Sequence, residues 1–349
     1  MPLRSTNEFK ERPDPGRGSR RSLDFDRSDG SEPMALWKVN QRCNFRCEYC
    51  FSAGVNPYRE HPACGRHAPG DIARAFDRTD RSWWISMTGG EPFLYPDFVE
   101  LCRELTRNHV LTIYTNLSTT NALRFAEVID PSRVRAVNAS LHILERERRR
   151  RVDRFIADVL HFQEKGFEVR VDYVALPELF DRLDRDLEML AAAGIARVRL
   201  QALQGVYRSR LYPSGYGRRE REAFRSRSID DKELDLVEHT HRFFGRLCRA
   251  GQRFFYMDIQ GTMRRCPIGA RSYGNFFEGR YALDDRPRPC PYPVCLCSWY
   301  GTELAGGPRQ GLVRVFNEMV REGISLALDR GRLGRLARTL SRRFRVGPR

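Results

Sequence analysis

From Met34 onward, short apolar runs alternate with segments of helical period. Six runs read as strands: 34–39 (MALWKV), 83–88, 110–115, 134–139, 168–175 and 196–203. Between them lie amphipathic stripes. Phe98, Leu101, Cys102 and Leu105 make one, which puts Cys102 in the core. Val152, Phe155, Ile156, Val159 and Leu160 make a second, and Leu179, Leu183, Leu187 and Leu190 a third. Strands alternating with helices predict parallel βα units joined by right-handed crossovers. Six such units make an α/β fold, a partial (β/α)6 TIM-like barrel. Its chemistry belongs on the loops that follow the strands. After the sixth strand, 204–229 reads as a loop rich in Arg and Tyr, and 231–249 as a helix.

The ends of the chain lack this alternation. Residues 1–33 are polar, with seven acids against seven bases, and read as a disordered tail. The expected division is a tail at 1–33, a core domain at 34–245, a small cysteine-bearing region at 246–305 and a basic helical tail at 306–349.

Composition narrows the class. Hydrophobic residues are 41% of the 349, enough to bury a core. No apolar run approaches a membrane span, and the N-terminus has no apolar signal-like stretch, so the expected compartment is the cytoplasm. Ten cysteines in a chain this long point to metal or to chemistry rather than to a disulfide framework. The net charge of +16 raises nucleic-acid binding, but half of it sits at 330–349, where eight Arg meet no acid. The run RERRRR at 146–151 reads as a solvated helix face.

The chemistry concentrates in NQRCNFRCEYCF, residues 40–51. Cys43, Cys47 and Cys50 stand as C-x3-C-x2-C on the loop after the first strand. Three thiolates fill three corners of a cubic [4Fe–4S] cluster and leave one iron open, whereas a structural zinc site takes four ligands. His61, Cys64 and His67 in HPACGRH offer a separate, weaker zinc set. TGGEP, residues 88–92, follows the second strand.

The C-x3-C-x2-C loop and GGEP one strand later resemble the radical S-adenosylmethionine (SAM) superfamily, over roughly 34–203. The resemblance implies a [4Fe–4S] cluster held by Cys43, Cys47 and Cys50, whose open iron chelates SAM. It implies that Gly89, Gly90 and Glu91 receive the methionine ammonium and that Tyr49 packs near the adenine. Asn116, on the loop after the third strand, and Ser140 and His142, at the end of the fourth, are further cofactor-binding candidates; for His142 a purely structural role is an even alternative. The implied chemistry is one-electron cleavage of SAM to methionine and a 5′-deoxyadenosyl radical, which takes hydrogen from a substrate. The electron would come from a donor such as flavodoxin or ferredoxin.

The later cysteines carry a second resemblance. Cys248, Gly261 and Cys266 read C-x12-G-x4-C, similar to the opening of SPASM and twitch auxiliary-cluster domains, with a hairpin turned at Gly261. Cys290, Cys295 and Cys297 follow, but the full SPASM ending is absent. The resemblance implies one auxiliary [4Fe–4S] cluster drawn from five cysteines, with Cys290, Cys295 or Cys297 left as a candidate hydrogen donor. A zinc ribbon of the same residues is the alternative. The functional expectation is a radical SAM oxidoreductase or epimerase acting on a small molecule such as a sugar or natural-product intermediate. Peptide maturation, RNA modification and a zinc-stabilised binding module are the alternatives.

Overall fold

The computed structural model describes residues 32–50, 64–229, 231–239, 243–292, 295 and 310–322. The chain alternates as β1 (Met34–Lys38), α1 (Pro69–Asp77), β2 (Trp84–Thr88), α2 (Phe98–Leu105), β3 (Val110–Thr115), α3 (Thr120–Val128), β4 (Val134–Ser140), α4 (Ile143–Arg148), α5 (Val152–Glu164), β5 (Val169–Val174), α6 (Leu183–Ala192) and β6 (Val198–Gln201). All six expected strands are present, and β1 to β6 pair in parallel, in sequence order. The expected partial barrel is the fold of the core.

The loop expected at 204–229 is instead a hairpin, β7 (Gly205–Tyr207) and β8 (Arg210–Tyr212), followed by α7 (Arg218–Arg227). Its two turn residues, Arg208 and Ser209, both have positive φ, the geometry of a type I′ turn. That turn ordinarily announces itself with Asn-Gly, so Arg-Ser concealed it. The helix expected at 231–249 is also shorter. It ends as α8 (Asp231–His239), and Cys248 lies on a strand, β9 (Leu247–Cys248). Gly245, with φ +76°, carries the chain in a conformation that a helix interior does not hold.

Beyond it come β10 (Phe254–Met257), β11 (Thr262–Arg264), β12 (Ser272–Asn275), β13 (Arg280–Tyr281), β14 (Arg288–Pro289) and α9 (Leu312–Arg321). Strands β10 and β11 form the expected hairpin, with Gly261 at its turn in the left-handed region, φ +82°. The sheet runs straight through the division expected at 245. Strand β10 lies parallel against β1, pairing Met34 with Phe254 and Trp37 with Met257, so one ten-stranded sheet is ordered β13-β12-β11-β10-β1-β2-β3-β4-β5-β6.

The two faces of this sheet differ in chemistry. Toward the helices, Ala35, Trp37, Ile85, Met87, Leu111, Ile113, Val137, Ala139 and Val171 join Phe76, Leu101, Cys102, Phe125, Phe155 and Phe162 in one apolar core. Cys102 sits there fully buried. Each fully buried large side chain of this kind contributes roughly 1.5–3 kcal/mol. The opposite, concave face is apolar only where the strands begin, at Met34, Leu36, Trp84 and Phe254. Further along it turns polar. Lys38 stands opposite Thr88, Asn138 opposite both Tyr114 and Arg170, and Asp172 opposite both Ser140 and Arg199.

Parallel strands covered on both faces usually read as unbroken apolar runs. Burying polar groups costs free energy unless they are paired, and here the charges are paired. Arg199 holds Asp172 through two bonds, Nε to Oδ1 at 2.8 Å and Nη2 to Oδ2 at 2.7 Å. Glu233 lies 3.9 Å from Arg199 and accepts from the Ala202 N–H. Removing one member strands the other, so Asp172→Ala is expected to destabilise the protein by about 3 kcal/mol in chemical denaturation. An unchanged midpoint would show that the pair contributes nothing.

Candidate active site

The ends of β1 and β2 do not separate where the strands stop. Val39 N–H donates to Thr88 C=O at 2.8 Å, Gly90 N–H to Asn40 C=O at 3.2 Å and Glu91 N–H to Arg42 C=O at 2.8 Å. The Asn40 side chain closes the set, donating to Glu91 C=O at 2.9 Å. The loop that carries the cysteines is thereby laid along the glycine loop. A Cβ at Gly89 would lie 2.4 Å from Asn40 O, and one at Gly90 would lie 2.2 Å from Arg42 O. Both glycines are needed so that the cysteine loop itself can approach.

Glu91 is fully buried, and its carboxylate is taken up by the protein. It accepts from Thr115 Oγ1 at 2.7 Å, Asn116 N–H at 2.7 Å and Phe93 N–H at 3.2 Å. Burial pushes its pKa up to about 7 against the pull of those donors. Glu91 thus ties the exit of β3 to the exit of β2. Asn116 continues the chain of contacts. Its side-chain amide donates to Asn44 Oδ1 at 3.0 Å and lies 3.9 Å from Cys43 Sγ. Asn44 in turn donates to Ser118 Oγ at 2.8 Å.

The exit of β4 grips the same loop from the other side. Tyr49 Oη and His142 Nδ1 are 2.9 Å apart, and the Phe45 ring meets the His142 ring edge-on. Burial and the neighbouring Arg146 lower the His142 pKa to about 4, which leaves the imidazole neutral at ordinary pH. Ser140 stands one turn of the pleat earlier, opposite Asp172. The RERRRR run departs from the solvated face expected of it. Arg146 is buried, donating to Leu141 C=O and Asn116 C=O, with its guanidinium 4.1 Å from the centre of the Phe155 ring. Those carbonyls follow β4 and β3 on buried residues and therefore need protein donors. Arg149 donates to Asn44 C=O at 2.9 Å. Arg148 and Arg149 both pair with Glu145, which accepts from the Arg46 N–H.

These contacts converge on the three thiols. Cys43 Sγ accepts from the Phe45 N–H at 3.4 Å. Burial raises the Cys43 thiol to about 11 and the Cys47 thiol to about 12. Thiols held this far up stay protonated until a metal displaces the proton. Among the described residues, no three Cys, His, Asp or Glu side chains lie close enough to share one metal ion. Cys43, Cys47 and Cys50 lie near enough to act on one another electrostatically, and three thiols on one loop are the donor set of a cluster with one open iron. Of the other zinc candidates, the His67 ring lies tilted against Phe277 at 4.7 Å, Cys64 Sγ lies 3.9 Å from Val39 O, and His61 lies outside the described residues.

The second set gathers at the opposite end of the concave face. Cys248, Cys266 and Cys295 pack against Met34, Leu36, Trp84 and Phe254. Cys290 is brought there by β14, which pairs with β9 and places Arg288 opposite Cys248. Cys297 lies outside the described residues. None of the nine cysteines among the described residues forms a disulfide.

Fold and site together define an α/β-barrel protein with a three-thiol loop at the mouth of a polar lumen. Residues 37–190 match the model of the Radical SAM superfamily. Over that stretch the chain is similar to the superfamily, whose members use a [4Fe–4S] cluster and SAM. A probable GTP 3′,8-cyclase of Metallosphaera sedula is 28% identical over 187 residues, 50% of this chain and 55% of the relative. The GTP 3′,8-cyclase of Moorella thermoacetica is 32% identical over 120 residues, 33% of this chain and 36% of the relative. The chain thus spans about half, or less, of the length of these curated relatives. Among solved structures, Streptococcus suis SuiB bound to S-adenosylmethionine superposes with a TM-score of 0.52 at 18% identity, covering 71% of this chain and 64% of SuiB. The protein anSMEcpe with bound AdoMet gives 0.51 at 16% identity, covering 70% and 78%. Both likenesses are of fold.

Gly90→Ala should force the Arg42 backbone aside and lower the iron bound at Cys43, Cys47 and Cys50 several-fold. Gly70→Ala is the control, because a Cβ there meets only Arg74 Nη1 at 3.4 Å. Iron content per folded chain, with circular dichroism for folding, separates the two. Equal loading would show that the cysteine loop tolerates displacement.

Proposed function

We propose that the protein is a radical SAM enzyme that oxidises a polar small molecule held in the barrel lumen between two iron–sulfur clusters. The observation that carries this reading is the placement of the two cysteine sets. Cys43, Cys47 and Cys50 follow the end of β1, and Cys248, Cys266 and Cys295 pack where β1 begins. Four residue steps of strand separate Met34 from Lys38, on the order of 13 Å. Between them lie the polar side chains of Thr88, Tyr114, Asn138 and Arg170. Asn138 Oδ1 is buried and has no hydrogen-bond partner among the described residues. It favours a ligand that presents an N–H or O–H group.

In this reading Cys43, Cys47 and Cys50 hold the first cluster and leave one iron for SAM. The Gly89–Gly90 backbone is the receiver for the methionine ammonium, since the Glu91 carboxylate is already bonded within the protein. Tyr49, Ser140 and His142 line the adenosyl side, and Asn116 holds the cysteine loop. When bound, the cluster and SAM supply a 5′-deoxyadenosyl radical that removes one hydrogen atom from the substrate. A second cluster held by the later cysteines would supply a one-electron acceptor for the oxidation. Cys248, Cys266, Cys290 and Cys295 supply four ligands for that cluster, which is a full set. The curated relatives' name, GTP 3′,8-cyclase, supports a small molecule in the lumen. The solved structure of anSMEcpe with bound AdoMet and Kp18Cys peptide keeps a peptide as the competing substrate class.

Cys43→Ala, Cys47→Ala and Cys50→Ala should each abolish 5′-deoxyadenosine production from SAM under reducing conditions while leaving about four irons per chain. Retained 5′-deoxyadenosine would overturn the assignment of the first cluster. Complete loss of iron in the triple variant would overturn the second.

A further inference from the structure

Arg265 is an unusual neighbour for cysteines. It is 2% exposed, precedes Cys266 and extends toward β14, donating to Arg288 C=O at 2.8 Å and to Pro289 C=O at 3.1 Å. Its Nη1 also lies 3.3 Å from Glu318 Oε1, which is buried and arrives on α9. Cys266 follows Arg265 in the chain, Cys290 follows Pro289, and β9 sets Cys248 opposite Arg288, so the guanidinium is bonded to the backbone that carries these cysteines.

We propose that Arg265 is the positioning residue that sets the reduction potential of the second cluster, with Glu318 as the counter-charge that trims its effect. The proposal rests on the assignment of that cluster made above. Four thiolates around an oxidised [4Fe–4S] core carry two net negative charges, and one further electron makes three. Net charge and hydrogen bonding around the sulfurs are the protein's main means of setting such potentials. A buried cation among the sulfurs favours the reduced, more negative form. A carboxylate behind that cation weakens it. Glu318 reaches Arg265 only because α9 is fastened beside the cysteines, by Tyr292 Oη to Glu322 at 2.9 Å and by Arg321 to Asp284 at 3.5 Å.

The test uses the full chain with Cys43, Cys47 and Cys50 all replaced by Ala, so that only the second cluster remains. Its midpoint is read by electron paramagnetic resonance during dithionite titration, with iron counted for each variant. Arg265→Gln should lower the midpoint and Glu318→Gln should raise it. Arg265→Lys, which keeps the charge, should stay near the parent value. Both shifts in one direction, no shift in either, or Arg265→Lys behaving as Arg265→Gln would overturn the proposal. If Arg265→Gln fails to hold iron, the Glu318→Gln and Arg265→Lys midpoints still decide. A parent without iron would overturn the second cluster itself, and with it this role for Arg265.

Discussion

The closest approach in the molecule that matters is between two stretches of backbone. Asn40–Arg42 and Gly89–Glu91 continue the pairing of β1 and β2 past the sheet, at a separation that excludes any side chain. Everything else at the barrel mouth is arranged on that contact. It fixes the start of the cysteine loop; Glu91, Asn116 and Arg146 then fix its flanks from the exits of β2, β3 and β4. Four strand ends therefore share one rigid rim. Groups placed on such a rim keep their geometry without cost at the moment they are used.

The inside of the barrel follows a different rule from the outside. The helix-facing side of the sheet is uniformly apolar, and its stability comes from area removed from water. The concave side holds Arg170, Asp172 and Arg199 in a paired array, together with an acceptor on Asn138 that no group among the described residues satisfies. A core optimised for stability alone would replace these with Leu or Val. Their presence there supports the proposed reading of this face as one that meets a ligand.

Much of this was legible from residues alone, and the reasons for what was not are specific. The six strands and their helices announce themselves because apolar runs and helical stripes alternate cleanly, and the stripe through Phe98, Leu101 and Leu105 placed Cys102 correctly. The cysteine spacing and the glycine pair pointed to the rim. What the sequence could not display was a need arising elsewhere. Arg146 is buried because Leu141 and Asn116 have carbonyls to satisfy, and nothing in a run of five arginines and one glutamate distinguishes it. The hairpin at β7 and β8 lacked the usual turn residues. The pairing of β10 with β1 joins residues more than two hundred positions apart, which no local pattern records.

That last pairing has a consequence for how the chain is made. Strand β1 emerges from the ribosome early, but β10 begins 216 residues after β1 ends. At roughly 5–20 residues per second, the outer edge of β1 waits on the order of 10–40 s for its partner. An unpaired strand edge is a template for pairing with other chains. Cys43, Cys47 and Cys50, on the loop after β1, therefore follow a strand whose edge only β10, far down the chain, can close. Synthesis rate, rather than the stability of the finished fold, governs how long that edge stays open to a wrong partner.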